Sequence, residues 1–157
     1  WIGKPGFMTK SQIREMYNEG MQIGSHSMSH PDFLKINISS IEKELIESRF
    51  KLEDILGAQV TTFAFPYGNA GSAVIDAVFK SGYQLCCTSM HGVAYQSSTL
   101  LPRNSIHGSM SDRDLQRVVD SDATISLQWK IEDVGKSILK KYFPNNYAKI
   151  RTLLVRK

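Results

Sequence analysis

The strongest constraint on the fold of this chain is the alternation of helical patterns with short apolar runs through its first 120 residues. Helix-like periodicity covers 10–19, the stretch from Ser39 to Gly57, 73–80 and 112–119. Short runs of β-branched, aromatic and other apolar residues lie between or after these segments, at 21–24, 60–65, 83–88 and 100–104. Strands that alternate with helices favour a mainly parallel sheet with helices packed on it. The sequence therefore predicts an α/β fold.

Capping residues mark the predicted helix boundaries. Thr9 precedes the first helix and Gln12 follows three residues later, which is a capping-box arrangement. Ser39 and Glu42 repeat this arrangement before the second helix, and Gly57 follows its last apolar residue. We therefore expect the second helix to begin immediately after Ser39 and to end at Gly57.

The chain beyond residue 120 differs in charge from the rest. Residues 130–157 contain eight Lys or Arg against two acidic residues and carry +6, whereas residues 1–129 carry −2. This distribution argues against nucleic-acid binding by the preceding domain. The pattern predicts a short strand at 122–128 and amphipathic helices at 131–142 and 147–155. We expect a domain at 1–120 and a basic helical extension at 121–157 packed on or beside it, with membrane-surface contact by the extension as the alternative.

Two histidines stand four residues apart after the first apolar run. On a helical turn, side chains at i and i+4 lie on one face, so His26 and His30 could bind one divalent ion with bonds of about 2.0–2.1 Å. Ser27 occupies the place of the glutamate in the zinc-protease pattern H-E-x-x-H, so protease chemistry is disfavoured. The alternative is that one histidine caps a turn and the other faces solvent.

The run GMQIGSHSMSHPDF at residues 20–33 resembles the second motif of the polysaccharide deacetylases, the NodB homology domain of carbohydrate esterase family 4. Further segments resemble that family in the same order, at 1–9, 52–57, 63–68 and 81–83, so that the resemblance covers roughly residues 1–108. It implies a distorted (β/α) barrel and a metal-dependent hydrolase that cleaves carbon–nitrogen amide bonds to remove N-acetyl groups from a cell-envelope polysaccharide. It makes His26 and His30 the metal ligands, with zinc expected and cobalt or nickel as alternatives.

The resemblance also assigns roles to later residues. The segment Phe65-Pro66-Tyr67 resembles the third motif, in which the tyrosine backbone N–H stabilises the oxyanion and the aromatic side chain lines the substrate groove. The resemblance therefore implies that Phe65, Pro66 and Tyr67 bind substrate and that Tyr67 is also catalytic. Ala64 stands where the family has an arginine, and Arg103 is the candidate replacement that would contact substrate.

Three other polar residues, His107, His91 and Asp32, are considered for roles in the site. The resemblance implies that His107, in Ser105–Gly108, is the counterpart of the family's general acid, although the match to its Leu-x-His motif is poor. A histidine suits this role because its ordinary pKa lies near neutral pH, and an exposed histidine without a catalytic role is the alternative. His91 and Asp32 are interpreted as loop residues without a role in the metal site.

The family takes its third metal ligand and its general base from an early Asp-Asp motif, and this chain contains no Asp-Asp pair. We therefore expect a barrel that is incomplete at its N-terminus, little deacetylase activity in this chain alone, and self-association through exposed sheet edges. A non-catalytic carbohydrate-binding or interaction module is the alternative. The resemblance implies secretion or a place in the cell envelope, although residues 1–157 show no signal peptide or transmembrane segment.

Overall fold

The computed structural model describes residues 1–68, 71–106 and 108–143, and the chain divides into two compact units. The first unit consists of Trp1–Ser89 and Ala94–Pro102, and the second of Met90–Val93 and Arg103–Lys157. The predicted domain boundary at residue 120 stays a prediction.

The first unit contains a three-stranded parallel sheet. Its strands are β1 (Thr62–Ala64), β2 (Leu85–Cys87) and β3 (Leu100–Leu101), in the spatial order β1-β2-β3. Helices precede β1 and connect it to β2, as parallel pairing requires. The predicted α/β class with a parallel sheet is confirmed.

The predicted strand at 21–24 is wrong, because the structure has only a one-residue bridge at Ser25 in its place. Among the described residues, this side of β1 is paired only through an isolated parallel bridge between Ser25 and Phe63. Ser25 donates its N–H to Thr62 O at 2.9 Å and accepts from the Ala64 N–H at 2.8 Å. Gly24 packs so closely on β1 that a Cβ there would lie 2.6 Å from Thr62 Oγ1.

Three helices surround this sheet: α1 (Lys10–Asn18), α2 (Ile38–Leu56) and α3 (Ser72–Lys80). The capping box at Thr9 is confirmed. The start of α2 at Ser39 is wrong, because Asn37 is the N-cap and its side chain accepts from the Ser40 N–H at 2.8 Å. Gly57 ends α2 in the left-handed conformation, as expected.

The core of the first unit fills the space between α2, α3 and the sheet, with Leu45, Val78, Phe63 and Cys86 among its fully buried members. A buried polar network crosses it, because Ser25 Oγ–H donates to Ser48 Oγ at 2.8 Å. The Tyr83 hydroxyl donates to Leu45 O at 3.0 Å, and its burial raises the pKa of Tyr83. These contacts fix Ser25, the residue immediately before His26.

The second unit contains α4 (Asp112–Val119), capped by Ser111, and α5 (Ala123–Tyr142). The predicted strand at 122–128 is wrong, because the Asp122 side chain caps α5 by accepting from the Thr124 and Ile125 N–H groups. Ile125 and Trp129 then lie one turn apart on the same buried face.

The predicted helix at 131–142 is therefore the C-terminal part of α5, and the one predicted at 147–155 lies outside the described residues. None of the helices that the structure describes is both long and apolar enough to cross a membrane.

Candidate active site

His26 is held at the edge of the sheet by a backbone acceptor. It follows the residue that bridges to β1, and its ring Nδ1–H donates to the Ala64 carbonyl at 2.7 Å. A carbonyl oxygen only accepts, so Nδ1 carries the proton and the Nε2 lone pair of the neutral ring points away from the strand. This is how a backbone carbonyl commonly orients a metal-binding imidazole.

His30 reaches the same place through a tight turn and not through a helix. Ser27 and His30 have φ angles of +69° and +61°, which exclude the helical turn assumed from the spacing. The His30 N–H donates to Ser27 Oγ at 3.0 Å and closes this turn. The two side chains are adjacent as predicted, but the backbone that brings them together is different.

Glu44 on α2 stabilises the middle of the turn between His26 and His30 through hydrogen bonds. Its Oε2 accepts from the Met28 and Ser29 N–H groups, each at 2.8 Å, and its Oε1 accepts from Ser29 Oγ–H at 2.6 Å. One carboxylate thus makes three charge-assisted hydrogen bonds to the segment between the two histidines. Sequence reasoning missed Glu44, because a residue 15 positions away on a helix gives no local signal.

The two imidazoles face each other through their Nε2 atoms, which lie 3.1 Å apart, with His30 Nε2–H as the donor when His26 Nδ1 is protonated. A tetrahedral ion with bonds of 2.0–2.1 Å needs its two ligand nitrogens about 3.3–3.4 Å apart. A shift of a few tenths of an ångström therefore opens the pair to a divalent cation. The residues present fit two corners of a metal site.

No group of three or more His, Cys, Asp or Glu side chains suited to a metal occurs within the described part of the chain. Asp32 accepts from the Leu34 N–H at 3.1 Å and lies 3.7 Å from Lys35 Nζ in the loop that follows the histidines. The histidine pair consequently supplies two ligands, and water or other groups must complete the coordination.

Tyr67 stands beside His30 in a strained conformation. It lies inside the single 3₁₀ turn Pro66–Gly68 with a φ of +57°, and its ring centroid is 4.8 Å from that of His30. Its side chain is 51% exposed. Positive φ in a bulky residue is costly and is found where a site requires it.

The expectation that Phe65 and Pro66 line the substrate groove needs correction. Phe65 has no exposed surface and Pro66 is also fully buried. Phe65 makes an edge-to-face contact with Phe63 in the core at 5.4 Å. Phe65 and Pro66 therefore anchor the segment in the core, and Tyr67 is the residue of the segment that faces solvent.

Two exposed aromatic residues near the histidines were not selected from the sequence as site residues. The Trp1 and Phe7 rings stack at 5.7 Å, and the Trp1 ring also lies 5.7 Å from His30. Trp1 and His26 both line an open pocket of about 230 Å³, whose walls are largely apolar. The sequence signal was their place in the segment 1–9 that resembles the family.

The roles of two further predicted site residues, His107 and Arg103, are not tested by this geometry. His107 lies outside the described residues, and Arg103 belongs to the second unit, where its N–H donates to Met90 O at 2.9 Å. Their roles stay predictions. His91 lies in a loop as expected, but its Nδ1 is 3.0 Å from Asp133 Oδ1 and its ring stacks on Trp129 at 5.0 Å.

Comparison with known proteins identifies the family. The polysaccharide deacetylase family model matches residues 1–86, which is more than half of the chain. This chain belongs to the polysaccharide deacetylase family, as its motifs suggested.

The relatives are considerably longer than this chain. It is 27% identical over 93 residues to the polysaccharide deacetylase candidate YxkH of Bacillus subtilis (strain 168), covering 59% of this chain and 33% of YxkH. It is also 27% identical over 86 residues to a chitin deacetylase of Pestalotiopsis sp, covering 55% of this chain and 29% of that protein. The chain thus spans about a third of the length of these curated relatives.

A solved structure supports the fold. The crystal structure of a polysaccharide deacetylase from Bacillus cereus superposes with a TM-score of 0.68 at 27% identity, covering 75% of this chain and 38% of that one. The predicted polysaccharide deacetylase type of fold is confirmed.

Proposed function

We propose that the protein to which this chain belongs removes N-acetyl groups from a polysaccharide, with a divalent metal bound by His26 and His30. The observation that carries the proposal is the opposed pair of Nε2 atoms 3.1 Å apart, one of them oriented by a backbone carbonyl. Membership in the polysaccharide deacetylase family supports the reaction class, and the similarity to a chitin deacetylase supports an N-acetylated sugar polymer as substrate.

A divalent metal supplies a Lewis acid for the acetamide carbonyl and lowers the pKa of a bound water to about 7. His26 and His30 bind and orient that ion, and the Ala64 carbonyl keeps the His26 proton on Nδ1. Zinc suits imidazole ligands and is our first choice, with cobalt or nickel as alternatives.

Tyr67 is proposed to stabilise the oxyanion through its backbone N–H. In the part of the chain that the structure describes, this N–H makes no hydrogen bond to a protein acceptor, while the neighbouring Gly68 N–H donates to Phe65 O at 3.0 Å. A donor that is already fixed and aimed at developing charge contributes about 3 kcal/mol in a water-excluded site. The strained φ of Tyr67 is consistent with a residue held for such a task.

The general base and the third metal ligand are not supplied by an Asp-Asp pair in this sequence. We propose that residues 1–157 by themselves have little deacetylase activity, because general-base catalysis alone typically contributes 10²- to 10⁴-fold. We also propose that the protein is secreted or lies in the cell envelope, and that this chain self-associates through exposed sheet edges.

A carbohydrate-binding module without catalysis is the second candidate. One observation is compatible with it: Trp1, Phe7 and Tyr67 expose aromatic surface around the histidines. Such a module would bind oligosaccharides equally well with and without metal.

The test is acetate release from N-acetylglucosamine oligosaccharides by the protein in the full length that its gene encodes, with zinc or cobalt added. We expect His26→Ala to lose at least about 100-fold in kcat/KM, because loss of a group that only orients a metal ligand already costs about 10- to 100-fold. His91→Ala, which removes a histidine of the second unit, is the matched control and should retain activity. Equal activity of His26→Ala and the unmodified protein would refute the proposal, and oligosaccharide binding without acetate release in either would favour the module.

A further inference from the structure

We propose that the buried hydroxyl pair of Ser25 and Ser48 is a positioning device for the metal ligand His26. Neither serine is a metal ligand, and both act through the backbone that carries the imidazole. The effect on metal binding rests on the proposed function, whereas the effect on the orientation of the free imidazole does not.

Ser25 attaches the segment that carries His26 to the sheet through both of its backbone groups. Its N–H donates to Thr62 O at 2.9 Å, and its carbonyl oxygen accepts from the Ala64 N–H at 2.8 Å. The Ala64 carbonyl in turn accepts from His26 Nδ1–H at 2.7 Å. A displacement of Ser25 relative to Ala64 therefore changes the direction of the His26 ring directly.

This attachment to the sheet is short. In the part of the chain that the structure describes, the pairing on this side of β1 is the isolated bridge between Ser25 and Phe63. Neighbouring side chains of an extended segment point to opposite faces. An anchor on the Ser25 side chain therefore also fixes the direction in which the His26 side chain leaves the backbone.

The anchor is a hydrogen bond inside the core. Ser25 Oγ–H donates to Ser48 Oγ at 2.8 Å, and the two residues are 2% and 4% exposed. Ser48 Oγ–H donates to Leu45 O at 3.1 Å, and the Tyr83 hydroxyl donates to the same carbonyl at 3.0 Å. Each hydroxyl proton of this network has an acceptor, which gives the anchor one defined geometry.

Helix α2 holds the segment on both sides of His26. Ser48 lies four residues after Glu44 on α2, and residues at i and i+4 occupy one face of a helix. Ser48 binds the residue before His26, while Glu44 accepts from the Met28 and Ser29 N–H groups after it. One helix therefore sets the position of the imidazole from two directions.

The hydroxyl pair itself contributes little to stability. Folding exchanges hydrogen bonds to water for this one, and replacing both partners of a buried hydrogen bond by apolar groups is often nearly neutral. The double variant Ser25→Ala/Ser48→Ala should therefore unfold at nearly the same denaturant concentration as the unmodified protein. It removes the anchor and thus separates positioning from stability.

The experiment measures zinc affinity by titration calorimetry, and the tautomer of His26 in the metal-free state by NMR of labelled histidine, on the full-length protein. We expect the double variant to bind zinc about threefold to tenfold more weakly, because residues that contact a metal ligand directly cost about 10- to 100-fold and these act through the backbone. Its His26 ring should populate both neutral tautomers, whereas the unmodified protein should carry the proton on Nδ1 alone.

Ser81→Ala is the matched control for a buried serine. Ser81 is 7% exposed at the end of α3, and its N–H donates to Ala77 O within that helix. This variant should change neither the zinc affinity nor the His26 tautomer.

Unchanged zinc affinity in the double variant, while His26→Ala loses zinc, would overturn the inference and leave the proposed function intact. Zinc affinity that is retained in His26→Ala would instead refute the proposed metal site. The tautomer then decides the positioning role by itself, and a His26 proton on Nδ1 alone in the double variant would overturn that role as well.

Discussion

Glu44 offers the sharpest perturbation of the histidine turn that does not touch either imidazole. Its carboxylate accepts three hydrogen bonds from Met28 and Ser29, at 2.6–2.8 Å, and none of these residues is a proposed ligand. A hydrogen bond to a charged group typically contributes about 1.5–3 kcal/mol to the free energy of unfolding. Because Glu44 is half-buried, we take each of its three hydrogen bonds at about 1.5 kcal/mol or less. We therefore expect Glu44→Ala to lower the free energy of unfolding by about 2–4 kcal/mol.

The consequence for metal binding follows from the strained turn. Without Glu44, the positive φ of Ser27 and His30 loses the contacts that offset its cost, and the His30 ring is no longer held opposite His26. Loss of a partner that orients metal ligands commonly lowers metal affinity about 10- to 100-fold. Glu44→Gln should lose only a few-fold, because its amide oxygen can accept from both N–H groups while its NH₂ donates to Ser29 Oγ.

Zinc titration calorimetry and chemical denaturation of the same preparations check these values. Glu47→Gln is the matched control, because Glu47 lies on the same helix and makes only an exposed pair with Lys43 at 3.8 Å among its described contacts. It should change the free energy of unfolding by less than about 0.5 kcal/mol and leave zinc affinity unchanged. Zinc affinity in Glu44→Ala equal to that of Glu47→Gln would show that the turn does not depend on the carboxylate.

Two further predictions concern the scaffold of the first unit. Gly68→Ala should lower the free energy of unfolding by at least about 2 kcal/mol in denaturant titrations, because its Cβ would lie 2.7 Å from Ser89 N at a φ of +67°. Gly57→Ala, with φ +68° and no atom within 4 Å of the added Cβ, should cost only about 1 kcal/mol, and equal costs would contradict this reasoning. Burial, aided by neighbouring Cys87, raises the pKa of the Cys86 thiol from about 9 to about 11, so the folded chain keeps a proton that the unfolded chain releases. The free energy of unfolding should therefore fall as pH rises from 9 towards 10, and a fall of the same steepness in Cys86→Ala would exclude this thiol as its cause.

The regular elements were predictable wherever local chemistry decides them. The capping box of Thr9 and Gln12 and the end of α2 at Gly57 were predicted correctly, because residues within one turn satisfy the helix-terminal groups there. The strand predicted at 122–128 failed because alternation in a short segment competes with helical spacing. The Asp122 cap and the burial of Ile125 and Trp129 on one face stabilise the helix at these residues.

The adjacency of the two histidine side chains was predictable, but the geometry that brings them together was not. The spacing of His26 and His30 identified the pair, whereas the positive φ angles that bring the rings together occur in a turn that Glu44, distant in sequence, contacts through three hydrogen bonds. The burial of Phe65 behind Tyr67 is likewise a property of the packed sheet, since a motif gives residue order and not which face is covered. Tertiary contacts therefore supplied what local patterns could not.

The most direct test of the central claim is an anomalous-scattering measurement at the zinc absorption edge, on crystals of the full-length protein grown with zinc. We expect one strong peak between the Nε2 atoms of His26 and His30, about 2.0–2.1 Å from each. A fully occupied zinc at another place, with the Nε2 atoms still 3.1 Å apart and no peak between them, would contradict it.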